Sequence, residues 1–321
     1  MTTPSPRFRA ASPGTPFAVT PDVVVVGQLA RDLVLQVDEM PPAGAAADVR
    51  LRREMLGGKG ANQAVGLAQL GVPVALVAVC GDDRAGDELL AQAVRDGVDV
   101  SAVTRRPGTT TALIVEALDS DGQWRYLQHL PELLTAADVD RAAGRLRSAR
   151  AVLVQLQQPA EAVSAAAGHG RAGDALVVLD GVPDEKLLPL SDVLRADEQE
   201  ARLLTGADDR EALRAAAHDL LDAGPGLVAL GLPDGNLFAW RDRRWGAGEL
   251  VLPLTDEKVA DTTGAGDAFT AALTAALLRG DPPEEAAGFA VRAAGLTVRH
   301  PGGRPDLTRL RTGGPAGNSR R

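Results

Sequence analysis

Short runs of aliphatic, mostly β-branched residues recur along the chain, each followed by an Ala/Leu-rich stretch of helical length. Val23–Val26 is followed, after an interruption, by Ala61–Leu70, Val74–Cys80 by Ala85–Asp96, and Val152–Leu156 by Ala160–Ala167. Leu176–Leu179 precedes Asp184–Leu188, Val193–Arg195 precedes Glu198–Leu204, and Glu211–Leu221 leads into the run Leu227–Leu230. Continuous apolar strands separated by helices predict an α/β fold, with a mainly parallel sheet covered on both faces.

Two segments depart from that alternation. Ala47–Glu54 switches between apolar and charged residues, and Thr110–Leu118 with Gln123–Leu127 reads as a hairpin turning at Asp119–Gly122. With no helix to cover them, they predict a small β flap on the large sheet, built from about residues 33–54 and 108–130. Such a flap suits an enzyme that excludes water, although an edge hairpin need have no such role. The main domain is expected over 21–310, after a disordered leader at 1–20 rich in Pro, Ser and Thr and before a loose tail at 311–321.

Composition narrows the class. Of 321 residues, 45% are hydrophobic but only 3% aromatic, so Ala, Val and Leu must fill the core. The 43 acidic against 34 basic side chains give a formal charge of −9, which argues against nucleic acid or an anionic membrane as partner. Cys80 is the sole cysteine, and His129, His169, His218 and His300 are scattered, which excludes an intrachain disulfide and a structural zinc site. The longest uncharged apolar run, Ala268 to Leu278, is far short of the ~20 residues of a membrane span. The expectation is a cytoplasmic protein.

Four segments carry candidate chemistry. Asp261-Thr262-Thr263-Gly264-Ala265-Gly266-Asp267 runs into an Ala/Leu-rich helix. Its glycines permit close backbone approach, and the first N–H groups of the helix would face an anion such as a phosphoryl group. Asp267, in the first turn, could accept a proton from an attacking hydroxyl, or be an ordinary first-turn acid. Gly57-Gly58-Lys59-Gly60-Ala61-Asn62-Gln63 opens another helix but fits neither the Walker loop, since Gly60 follows Lys59, nor the dinucleotide turn, since Gln63 stands where a glycine would. It is either a ligand-approach loop or a tight turn with a solvated lysine. Asp32, soon after the first strand, is placed where ligands gather in parallel sheets, or is a helix cap or a loop residue. In Asp197-Glu198-Gln199-Glu200, carboxylates three apart share a helix face that could hold hydrated magnesium, or simply start a helix.

In order and together, Gly57–Val65 (GGKGANQAV) and Asp261–Phe269 (DTTGAGDAF) resemble the two signatures of the ribokinase-like (PfkB) carbohydrate kinases, and the likeness extends over about residues 22–307. The resemblance implies a three-layer αβα sandwich with a β-sheet lid, and ATP-dependent phosphorylation of ribose or a related sugar. It implies Asp267 as base, with Gly264, Ala265 and Gly266 as the anion hole. Asp32, Gly58, Lys59, Gly60, Asn62 and Gln157 would line the sugar site, and Asp197, Gly231, Gly235 and Gly266 the nucleotide site. Glu200 would hold Mg²⁺ through water, while Asp261 and Thr263 would belong to a K⁺ loop that includes backbone from about 298 to 303. The flap would be the lid, which in this family often supports a homodimer.

The sequence departs from ribokinases at defined points. Ala30 stands where they carry Asn, Gln157 where they carry Glu, and Asp197 where they carry Asn, and the segment after the lid, His129–Glu132, is shorter. Losing one neutral and one charged hydrogen bond to the sugar would cost ~2–4.5 kcal/mol, roughly thirty- to two-thousand-fold in affinity. The acceptor could therefore be another sugar or a nucleoside. The alternative from a different class is a non-catalytic sugar or nucleotide sensor on the same fold.

Overall fold

The computed structural model describes residues 20–311 apart from 208 and 300, so the expected leader and tail lie outside the described residues except for Thr20 and Arg311. Nine strands form the main sheet. From one edge they run Gly246–Pro253, Gly235–Asp242, Leu227–Leu232, Val193–Ala196, Leu176–Asp180, Ala151–Gln155, Val23–Val26, Val74–Val77 and Val98–Asp99. All pairings are parallel except those of the hairpin Gly235–Pro253, which is antiparallel within itself and to Leu227–Leu232.

The Val-rich strands divide their side chains between two cores. Val23 and Val25 pack beneath the helices Lys59–Gln69, Arg84–Arg95, Ala265–Arg279 and Pro283–Thr297. Val24 and Val26 pack beneath Ala136–Arg141, Ala143–Ser148, Ala160–Ala172 and Arg210–Ala223. Each such valine contributes ~1.5–3 kcal/mol by leaving water, which is why four in a row are found in a strand covered on both faces. Small side chains let the helices come close. A Cβ placed on Gly66 would lie 3.0 Å from that of Ala271, so the helices starting at Lys59 and Ala265 present neighbouring N-termini at the carboxyl ends of the parallel strands.

The Val74–Cys80 run is not one strand. The edge strand covers only Val74 and Ala75, and beyond Val77 the chain leaves the sheet; Val79–Gly81 pairs instead with Thr104–Arg106. Backbone groups that lose one ladder must find another.

The flap is a separate four-stranded sheet in the order Leu51–Gly57, Ala30–Gln36, Leu113–Leu118, Trp124–His129. The hairpin turns where expected, with the Gly122 N–H donating to the Asp119 carbonyl at 3.1 Å. The flap begins earlier than residue 33, because Ala30–Gln36 is one of its two inner strands, and Ala47–Arg50 lies outside the strand that starts at Leu51. Register fixes its two faces. Met55, Asp32, Ile114 and Gln128 lie in one lateral row, and Glu54, Leu33, Val115 and Leu127 in the next, on the opposite face.

Candidate active site

A cleft of about 570 Å³ lies between the flap and the strand ends, and both glycine-rich helix starts open onto it. Gly264 has φ +75, and a side chain there would collide with the carbonyl of Gly303, so only glycine permits this turn. Gly58, at φ +83, is also tight: a Cβ there would lie 2.9 Å from the Gln28 carbonyl oxygen. Asp267 sits in the first turn of the helix Ala265–Arg279 and is buried. Its Oδ2 accepts from Asn62 Nδ2 at 3.1 Å and its Oδ1 from Gln63 Nε2 at 3.2 Å. The two signature segments thus meet at one carboxylate. Burial, with the charge of Asp180 adding, pushes Asp267 up to about 7, against the opposing pull of Lys59, Asn62 and Arg195. That is a range suited to taking a proton from an alcohol near neutrality.

Behind Asp267 lies a charged network. Asp180 accepts from Gln63 Nε2 at 2.7 Å, Arg195 Nη1 at 3.0 Å and Thr270 Oγ1 at 3.1 Å. Lys59 Nζ reaches Glu200 Oε1 at 3.4 Å. Burial alone would lower the Lys59 pKa, but the carboxylates of Asp180, Asp267 and Glu200 raise it, so Lys59 stays charged. The Asp197–Glu200 segment starts a helix through a reciprocal cap. Asp197 Oδ1 accepts from the Glu200 N–H at 2.8 Å, and Glu200 Oε2 accepts from the Asp197 N–H at 2.9 Å. Both carboxylates therefore serve the helix start, and Glu200 also carries the ion pair.

The flap closes the other side of the cleft. Asp32 belongs to its inner strand Ala30–Gln36 rather than to a loop after the first strand of the main sheet. Its Oδ1 is buried without a partner among the described residues. Burial first, then the charge of Glu116, push Asp32 up to about 7, with a hydrogen bond from the Gly58 backbone opposing. Ile114 and Glu116 on the next strand, and Trp124, Tyr126 and Gln128 on the last, also line the cleft. The Trp124 and Tyr126 rings lie 4.5 Å apart. Thr263 ties the flap to the Asp261–Asp267 segment: its hydroxyl donates to Glu116 Oε1 at 2.8 Å and accepts from the Tyr126 hydroxyl at 2.7 Å. Asp261 braces the same turn, accepting from the N–H groups of Thr263 at 2.8 Å and Gly302 at 2.7 Å.

Of the expected site residues, Asp32, Gly58, Lys59, Asn62, Gln157, Asp197, Gly231, Gly235, Thr263, Gly264, Ala265, Gly266 and Asp267 all line this one cleft. Gly60 lies just beneath, where a Cβ would clash with Gly27 at the end of the first strand. Gln157 stands exposed at the rim. Gly231 and Gly235 also have packing reasons to be glycine, against the Glu198 N–H and the Leu252 carbonyl. Sequence reasoning missed Gln63, Glu116, Tyr126, Asp180 and Arg195. A basic residue near the end of a strand just before an acidic helix start was the available signal for Arg195, and membership of the Gly57–Val65 segment was the signal for Gln63; nothing local marked Glu116, Tyr126 or Asp180. Among the described residues, no group of three or more His, Cys, Asp or Glu could hold a metal ion, and no helix is long and apolar enough to cross a membrane.

A parallel-stranded sandwich, a β lid and a carboxylate at a glycine-rich helix start define a phosphotransferase acting on an alcohol. The family model described as "pfkB family carbohydrate kinase" matches residues 20–309, and the chain belongs to that family: it is a sugar kinase. It is 30% identical to the deoxyribokinase of Salmonella typhi over 258 residues, 77% of this chain and 83% of that one. It is 31% identical to the ribokinase of Arabidopsis thaliana over 310 residues, 90% of this chain and 79% of that one. The solved structure of Arabidopsis thaliana ribokinase complexed with ribose and ATP is similar with a TM-score of 0.76 at 28% identity, covering 91% of this chain and 98% of that one.

Proposed function

We propose that the enzyme transfers the γ-phosphoryl group of ATP to a hydroxyl of ribose or a related small sugar. The observation that carries this reading is the placement of the Asp267 carboxylate, beside the Gly264–Gly266 turn, in the cleft that also holds Asp32 and Lys59. Asp267 takes the hydroxyl proton as the hydroxyl oxygen bonds to the γ-phosphorus and the bond to the β–γ bridging oxygen breaks. The N–H groups at the turn receive the charge on the migrating group, so positioning and electrostatics supply most of the acceleration. Asp32, Asn62, Lys59 and Gln157 orient the sugar, while Asp197, Gly231, Gly235 and Gly266 border the nucleotide. A nucleoside is the second reading for the acceptor, favoured by the Trp124–Tyr126 ring pair on the lid, which could stack on a base. ADP release measured over ribose, deoxyribose, other pentoses, hexoses and nucleosides tests both; nucleotide binding without ADP release from any acceptor would favour the sensor.

Two ions fit the residues present. Mg²⁺ is commonly held by one or two carboxylates with waters and substrate phosphates; Asp197 lines the cleft, and Glu200 just behind it, held by Lys59 and the Asp197 N–H, would reach the ion through water. It would neutralise phosphate charge. At the Asp261 turn, burial and then the neighbouring Asp261 charge push Glu116 up to about 7, and no cationic side chain among the described residues pairs with either carboxylate. That surplus of negative charge suits a monovalent cation such as K⁺, held with the Thr263 carbonyl. We further infer a homodimer through the lid's outer face, where Leu33, Val115 and Leu127 form a row with Leu127 71% exposed. The inferred location is the cytoplasm, where ATP is supplied.

A further inference from the structure

Arg195 is the last residue but one of the strand Val193–Ala196, in register beside Asp180 on the neighbouring strand. Its side chain is only 12% exposed, so this permanently charged guanidinium is held largely out of water. One nitrogen accounts for its anchoring. Nη1 donates to Asp180 Oδ1 at 3.0 Å and lies 3.7 Å from Glu200 Oε2. Nε and Nη2 have no acceptor among the described residues, although arginine carries five N–H donors. The group lines the cleft with its Nη2 end against the anion turn: a Cβ placed on Gly266 would lie 2.6 Å from Nη2. The plane also sits over the Phe269 ring, 5.8 Å from its centroid, which restricts how it can turn.

A desolvated guanidinium with an anchored end and a free end, pressed against a phosphoryl-binding turn, is suited to bidentate recognition of an anion. Resting on the kinase reading above, we propose that Arg195 is a catalytic residue that hydrogen-bonds, through Nη2 and Nε, non-bridging oxygens of the γ-phosphoryl group as it leaves the triphosphate. The arginine keeps its proton throughout; the hydroxyl proton goes to Asp267 and ADP departs. Asp180 and Glu200 fix the fork, so its charge is in place before the nucleotide arrives. Gly266 is then required for a second reason, since any side chain there would displace the guanidinium.

The test compares affinities for ADP and for the β,γ-imido analogue of ATP, measured by calorimetry with Mg²⁺, in the wild type, Arg195→Met and Arg195→Lys. Lysine retains a positive charge beside Asp180 and Glu200 and keeps the experiment interpretable if the methionine variant does not fold. The expected result is an ADP affinity within about threefold of wild type in Arg195→Lys, a triphosphate-to-ADP affinity ratio lowered about tenfold or more, and kcat lowered about a hundredfold. An unchanged ratio, or an equal loss of both affinities, overturns the proposal and leaves Arg195 a structural counter-charge. The ratio is read without an acceptor, so a wild-type protein that phosphorylated nothing would sink the kinase reading separately.

Discussion

Asn62 donates a hydrogen bond to Asp267 at 3.1 Å across 205 residues of sequence, joining the start of one glycine-rich helix to the first turn of another. The bond favours the ionised carboxylate and aims one of its oxygens, and Gln63 holds the other. Hydrogen bonds to charged groups contribute ~1.5–3 kcal/mol, so Asn62→Ala should lower kcat/KM by roughly ten- to a hundredfold. The same change should move the midpoint of the pH–rate profile upward, because a partner of the charged form is lost. A profile that only scales down, without moving, would assign Asn62 to binding alone.

With Asp267 as the proposed base, the pH dependence of the wild type follows from that one carboxyl. A base works when ionised, so kcat/KM should rise with pH through about 7 and level off above it. Stability should run the other way. In the unfolded chain the carboxyl titrates near ~3.9, so between that value and 7 the folded protein holds a proton that the unfolded chain has released. Stability from this group is therefore greatest at acid pH, falls through that window, and stays at its lower value above it. Asp267→Asn removes the penalty and should raise Tm above neutrality by ~5 °C, with no gain below about pH 4. Thermal melts across pH check this; a variant less stable than wild type at every pH would show the carboxylate to be a net stabiliser.

Much of this could be read along the chain, and the rest could not for identifiable reasons. Val23–Val26 and Leu176–Leu179 announce themselves because a strand covered on both faces is apolar at every position. Ala30–Gln36 does not, since it mixes Arg31, Asp32 and Gln36 among apolar residues to serve a sheet wet on one side. Likewise, Asp267, Lys59 and Asn62 are marked by the glycines beside them. Arg195 and Asp180 become partners only through the register of parallel strands, and Glu116 and Tyr126 reach Thr263 only once the lid has folded over the cleft.

On the proposed reading, that last contact couples the lid to acceptor binding. Tyr126→Phe deletes one hydroxyl and its bond to Thr263 while keeping the ring against Trp124. At ~0.5–1.5 kcal/mol for a neutral hydrogen bond, KM for the acceptor should rise about two- to tenfold with kcat changed by less than about twofold. Steady-state kinetics with acceptor varied decides it. A fall in kcat at constant KM would instead place Tyr126 in the transfer step.

The lid's outer face makes a separate prediction. Leu127 is 71% exposed at the apolar end of the row that runs through Val115 and Leu33 to Glu54. Glu54 is paired with Arg31 and Arg52, whereas a carboxylate at 127 would have no such partner when that end is covered. Leu127→Asp should convert a dimeric wild type to monomer by analytical ultracentrifugation. A monomeric wild type would remove the dimer proposal outright.

The most direct measurement is ADP release by wild type and Asp267→Asn over the acceptor panel, alongside ATP affinity for each. The expected result is turnover by the wild type with at least one small sugar, and a variant that binds ATP about as well yet turns over at least a thousandfold more slowly. Comparable turnover by the two proteins would contradict the assignment of Asp267 as the base.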